Sequence, residues 1–157
     1  MYQKILVTLD GSELAETALP HLETVYKGCQ KPKVTLLRVI EPIDFQNSEA
    51  IGVMTPEMIK KVESELKEDA KKYLDGVAQR LGKVGIPVTA EVASGKAADT
   101  IIDYVNKNDF DLLIMSTHGR SGISRWILGS VADRIIRSVC IPVTIIRAPG
   151  CGLLHKE

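Results

Sequence analysis

Five short apolar runs, rich in β-branched residues and separated by longer stretches of helical period, constrain this chain more than any other feature. They are residues 4–9 (KILVTL), 33–40 (KVTLLRVI), 87–92, 111–116 (DLLIMS) and 141–147 (IPVTIIR). Their interiors are largely apolar at consecutive positions rather than alternating, the pattern of strands covered on both faces. Asp10-Gly11-Ser12 closes the first run with a turn signature.

The intervening segments read as helices. Ser12 is placed to N-cap the first, in which Ala15, Ala18, Leu19, Leu22 and Val25 recur at helical spacing up to about Gly28. Residues 41–54 have no clear period, and Thr55-Pro56-Glu57 then supplies a cap, a proline at the first helical position and an early acid. A long helix is expected from there to about Gly82, with Met58, Val62, Leu66, Ala70, Tyr73, Leu74, Val77 and Leu81 as its core stripe. A third helix is expected from Gly95 to about Asn108 and a fourth over residues 130–138.

Strands alternating with helical crossovers predict an α/β fold, a single doubly wound five-stranded parallel sheet in the order 3-2-1-4-5 with helices on both faces. A length of 157 residues suits one domain, expected over residues 1–148, with residues 149–157 as a tail rich in Pro and Gly. In such a sheet ligands bind outside the carboxyl ends of the strands where the order reverses, here between the first and fourth strands. Two loops meet at that point: Leu9-Asp10-Gly11-Ser12, and the long basic loop that begins Ser116-Thr117-His118-Gly119-Arg120-Ser121-Gly122 and ends at Gly129-Ser130 on a helix N-terminus.

Glycine lets backbone approach a phosphate closely, and the amides and positive dipole end of the helix starting near Ser130 favour an anion. Asp10 sits where a carboxylate can accept hydrogen bonds from ribose hydroxyls. Together these features specify phosphate plus sugar. Taken singly, Gly119 and Gly122 can simply shape a turn, Gly129-Ser130 can simply cap a helix, and Asp10-Gly11 is equally a turn former. His118 lacks an evident nucleophile or acid partner in sequence, and Trp126 reads as packing or a loop anchor.

Other functions are disfavoured by what the chain contains. Lys plus Arg and Asp plus Glu stand at 20 each, so no overall field recruits nucleic acid or an anionic membrane. Aromatics at 4% leave few stacking platforms for single strands. The opening Met1-Tyr2-Gln3-Lys4 precedes an apolar run far short of the ~20 residues that span a bilayer, so neither a signal peptide nor a membrane anchor is expected. Cys29, Cys140 and Cys151 are widely spread and read as reduced thiols of a cytoplasmic protein. GxxxxGK[ST], GxGxxG after the first strand, HExxH and clustered Cys/His ligands are all missing from the sequence, and no catalytic residue or metal site is expected.

These residues resemble the universal stress protein family, of ATP-binding type, whose nucleotide-binding members carry G-x2-G-x9-G-[ST] after the fourth strand. Here the register is Ser116-Thr117-His118-Gly119, then Arg120 through Leu128, then Gly129-Ser130, with Ser116 at the first glycine's place. The likeness runs over nearly the whole chain, from KILVTLDGS through LLRVIEP, LLIMSTHGRSG and LGSVADRIIR to IPVTIIR. It implies an adenine nucleotide alpha hydrolase-like fold. By position it would set Asp10 at ribose, Thr8 and Val39 at adenine, and Gly119, Gly129, Ser130 and Val131 at phosphates. The expected nucleotide-binding set is thus Thr8, Leu9, Asp10, Val39, Ser116, Thr117, His118, Gly119, Arg120, Gly122, Gly129, Ser130 and Val131.

The resemblance also implies a homodimer paired through the last strand, where Val143, Ile145 and Ile146 form an apolar edge. ATP is the expected ligand, with AMP or cyclic AMP as alternatives, and the role regulatory. Two other readings compete: a slow ATPase using Mg2+ with Arg120 or Ser124 near the outer phosphate, and a nucleotide-free dimeric interaction module.

Overall fold

The computed structural model describes residues 1–42, 55–117 and 129–147. Most of the 41–54 segment, the loop from 118 to 128 and the tail from 148 onward lie outside these. The elements are β1 (Lys4–Thr8), α1 (Glu13–Glu16), α2 (Ala18–Gly28), β2 (Lys33–Ile40), α3 (Pro56–Lys83), β3 (Val88–Ser94), α4 (Ala97–Asn108), β4 (Leu112–Ser116), α5 (Ser130–Ser138) and β5 (Val143–Ile146). All pairings are parallel. The sheet has five strands in the order β3-β2-β1-β4-β5, as the alternation of the sequence predicts.

Side chains of a strand alternate between faces, and each face here has its own core. Ile5, Val7, Leu36 and Ile114 pack with Ala15, Leu22, Leu74, Val77 and Leu81 under α1, α2 and α3. Leu6, Leu37, Leu113 and Met115 pack with Ala98, Ile101, Val105, Ala132 and Ile135 under α4 and α5. Leu36 and Leu37 are both fully buried although adjacent, which is why β2 is apolar at consecutive positions. Burying each such side chain contributes about 1.5–3 kcal/mol.

Several element ends depart from the sequence reading, and each departure has a local cause. The expected single helix from Ser12 to Gly28 is two, α1 and α2, broken at Thr17. Pro20 has no N–H to give and its ring opposes the carbonyl four residues back, at Glu16, so the turn cannot continue. Strand β3 starts at Val88 rather than Pro87 and runs on to Ser94, which pairs with Ile40. Gly95, at φ +147, then ends it, and α4 starts only at Ala97. Strand β5 begins after Pro142, whose carbonyl still accepts from the Leu113 amide at 3.0 Å.

The apolar stripe of α3 is core over only part of its length. Ala70, Leu74, Val77 and Leu81 are buried, whereas Met58 is 48% and Leu66 39% exposed. Among the described residues no helix is long and apolar enough to cross a membrane.

Candidate functional site at the β1–β4 switch point

β1 pairs with β2 on one side and β4 on the other, so the crevice where the strand order reverses opens at the carboxyl ends of β1 and β4. Thr8 is opposite Leu37 in register, and the Leu9 amide donates to the Leu37 carbonyl at 2.9 Å. By alternation Thr8 shares the α4/α5 face with Leu6, and Val39 packs against that same cluster. Leu9 turns its side chain to the other face, where it is buried, so only its backbone borders the crevice.

Asp10 builds the turn that follows. Its Oδ1 accepts from the Ser12 amide at 2.9 Å and from the Ser12 hydroxyl at 2.6 Å. Ser12 Oγ in turn accepts from the Ala15 amide at 3.1 Å and caps α1. Among the described residues no donor engages Asp10 Oδ2. Between them, Gly11 has φ +89, a left-handed conformation suited to glycine.

The other wall comes from β4 and α5. Ser116 pairs with Ile146, and the Thr117 amide donates to the Ile146 carbonyl at 2.9 Å. Thr117 is buried. Gly129 is the N-cap of α5, and a Cβ on it would stand 2.7 Å from the Thr117 carbonyl oxygen. The two ends of the long loop are thus in contact. Ser12 and Thr55 cap α1 and α3 through their side chains, whereas among the described residues α2, α4 and α5 have no side-chain cap bond from their N-cap residues. Ser130 is exposed at its first turn, and Val131 packs against the α4/α5 core.

Thr8, Asp10, Ser116, Thr117, Gly129 and Ser130 therefore gather at one edge of the sheet. His118, Gly119, Arg120 and Gly122 lie outside the described residues. Sequence reasoning missed a second group beside Asp10. The Arg38 guanidinium lies against Gly11 and 5.2 Å from the Tyr73 ring centroid. Glu16 pairs with Arg80 at 2.7 Å, and burial, with the Glu16 charge next in weight, pushes the Tyr73 phenol well above its ordinary range. The available signal was an arginine among the consecutive apolar residues Leu36, Leu37, Val39 and Ile40 of β2.

A cleft of about 570 Å3 opens at the opposite, amino-terminal edge, lined by Lys4, Tyr26, Lys33, Thr89 and Tyr104 among others. It is remote from the strand-order reversal, and the chemistry of the Asp10 and Gly129 loops is not there. Among the described residues no group of three or more His, Cys, Asp or Glu is placed to hold a metal ion.

The family model described as the universal stress protein family matches residues 1–147. The chain belongs to the universal stress protein family. Universal stress protein MJ0531 of Methanocaldococcus jannaschii is 30% identical over 95% of this chain and 84% of its own length. The solved structure of MJ0577, from the same organism, superposes with a TM-score of 0.80 at 28% identity, covering 94% of this chain and 96% of that one. Two more distant members share the fold. One, from Arabidopsis thaliana, has AMP bound (18% identity, TM-score 0.67, 94% of this chain and 93% of that one). The other is in complex with cAMP (20% identity, TM-score 0.64, 94% and 98%).

Proposed function

We propose that this protein binds an adenine nucleotide, ATP foremost, at the carboxyl edge of β1 and β4, and acts as a regulatory stress-response protein rather than through turnover. One observation carries the reading: Gly129, the N-cap of α5, abuts the Thr117 backbone where β4 runs beside β1, and β1 leads into Asp10. Phosphates would take the first-turn amides of α5 at Gly129, Ser130 and Val131, with Gly119 from the long loop. Asp10 Oδ2 would accept from ribose, and Thr8 and Val39 would flank adenine. Support comes from family membership and from the relatives that hold AMP and cAMP. The role belongs in the cytoplasm, in a homodimer paired through β5, an edge strand whose Val143 and Ile145 are half-buried in one chain.

Mass spectrometry of small molecules released from the denatured protein, with calorimetric titration of ATP, AMP and cyclic AMP, tests this. Bound ATP, or micromolar binding abolished in Gly129→Asp, is the expected result. A protein that carries no ligand and gives no heat on titration would overturn it and turn attention to the nucleotide-free interaction module.

A further inference from the structure

Arg38 is a charged residue on a strand whose neighbours Leu36 and Leu37 are fully buried, and it is itself half-buried. Two contacts account for its place. The Tyr73 ring of α3 lies 5.2 Å from its guanidinium carbon, within cation–π range. Gly11 lies on it as well: a Cβ there would stand 2.9 Å from Cζ and 3.0 Å from each terminal nitrogen. Near-equal distances to carbon and both nitrogens put the position of a Gly11 Cβ over the flat face of the guanidinium, not at its edge. Among the described residues no carboxylate lies within ion-pair distance of Arg38, so the group is held by stacking and packing.

Gly11 is the middle of the Asp10–Ser12 turn, whose two hydrogen bonds both end on Asp10 Oδ1. Whatever fixes the height of Gly11 above the sheet also fixes where Oδ2 points. We propose that Arg38 is a positioning residue for the acidic end of the nucleotide site, a planar platform under Gly11 that sets the Asp10 carboxylate for the ribose hydroxyls. The inference rests on the switch point being a nucleotide site. By alternation Arg38 shares the α3 face with Leu36, opposite the face of Thr8 and Val39. Its flat face matters more than its charge, since a lysine cannot offer that face.

The test pairs ATP with 2′,3′-dideoxy-ATP, which lacks the hydroxyls Asp10 would bind, in the wild type, Arg38→Met and Arg38→Lys. Both variants should bind ATP about tenfold more weakly, the equivalent of one charge-assisted hydrogen bond, while dideoxy-ATP binding is unchanged. Equal weakening of both nucleotides, or no change for ATP, would overturn the proposal. Hydrogen exchange at the Ser12 amide gives a ligand-free readout, with the Leu36 and Leu37 amides as controls for folding. Faster exchange at Ser12 alone in Arg38→Met upholds the platform, and unchanged exchange overturns it. If the wild type binds neither nucleotide, the site reading fails and the exchange result still decides the platform.

Discussion

The backbone of Gly129 lies so close to the Thr117 carbonyl oxygen that a Cβ at position 129 would stand 2.7 Å from it. A backbone oxygen cannot swing aside as a flexible side chain can. Gly129→Ala should lower stability by about 1–3 kcal/mol, the usual range for overpacking, as read by urea unfolding. It should also weaken ATP binding, as read by calorimetric titration. Gly129→Asp adds a negative charge and should remove binding altogether.

Ser12 holds both Asp10 and the first turn of α1 through one hydroxyl. Ser12→Ala should therefore cost about 1 kcal/mol for the lost cap. Chemical denaturation checks the stability, and the ATP titration should weaken in parallel because Asp10 Oδ1 loses the hydroxyl donor. A variant that binds ATP as wild type would separate the turn from the site.

Asp111 Oδ2 accepts from the Gln3 amide at 2.7 Å and the Lys4 amide at 2.8 Å, tying the start of β1 to the start of β4. The Gln3 amide first, then that of Lys4, holds the carboxyl below its ordinary value of 3.8. A lowered folded-state pKa gives stability that is present above the ordinary value and is lost as pH falls through the folded one. Thermal midpoints should thus drop below about pH 4. Asp111→Asn should flatten that acid limb. The group is solvent-accessible, so the difference should be modest.

Leu74 is fully buried under the sheet and Leu66, two turns earlier on the same stripe of α3, is 39% exposed. Leu74→Ala should cost about 2–5 kcal/mol. Leu66→Ala should stay within about 1 kcal/mol, nearer the value for a surface site. Equal losses in the two variants would mean that α3 is covered along its whole stripe in solution.

Among the described residues the Tyr73 hydroxyl is buried with no hydrogen-bond partner. Removing an unsatisfied polar group while keeping its ring is near neutral or stabilising. Tyr73→Phe should leave the unfolding midpoint unchanged or raise it, and should keep the Ser12 amide protected, since the ring that meets Arg38 remains. A clear loss of stability would mean that the hydroxyl bonds to Glu16 in solution.

Much of the fold was legible in the sequence because it rests on short-range physics. Apolar runs against helical period, the caps at Ser12 and Thr55, and the alternation of strand and helix depend on residues a few positions apart. The right-handed crossover rule then left few orders for the sheet, and the crevice beside Asp10 followed. The break at Thr17 was also in the sequence, as Pro20, but was outweighed there by an apolar period that runs through it.

Other features had no local signal. Arg38 and Gly11, and Asp111 and Gln3, are remote in the chain, the last pair by 108 positions. They meet only because the strand order brings their elements together. Which half of the α3 stripe is buried likewise had no local signal, for a periodic stripe says which face turns inward but not whether anything lies opposite it. Sequence alone determined which elements form and where the crevice opens. Tertiary packing decided which backbone and side-chain groups fix its shape, because steric contact and hydrogen bonding act over a few ångströms in space whatever the separation along the chain.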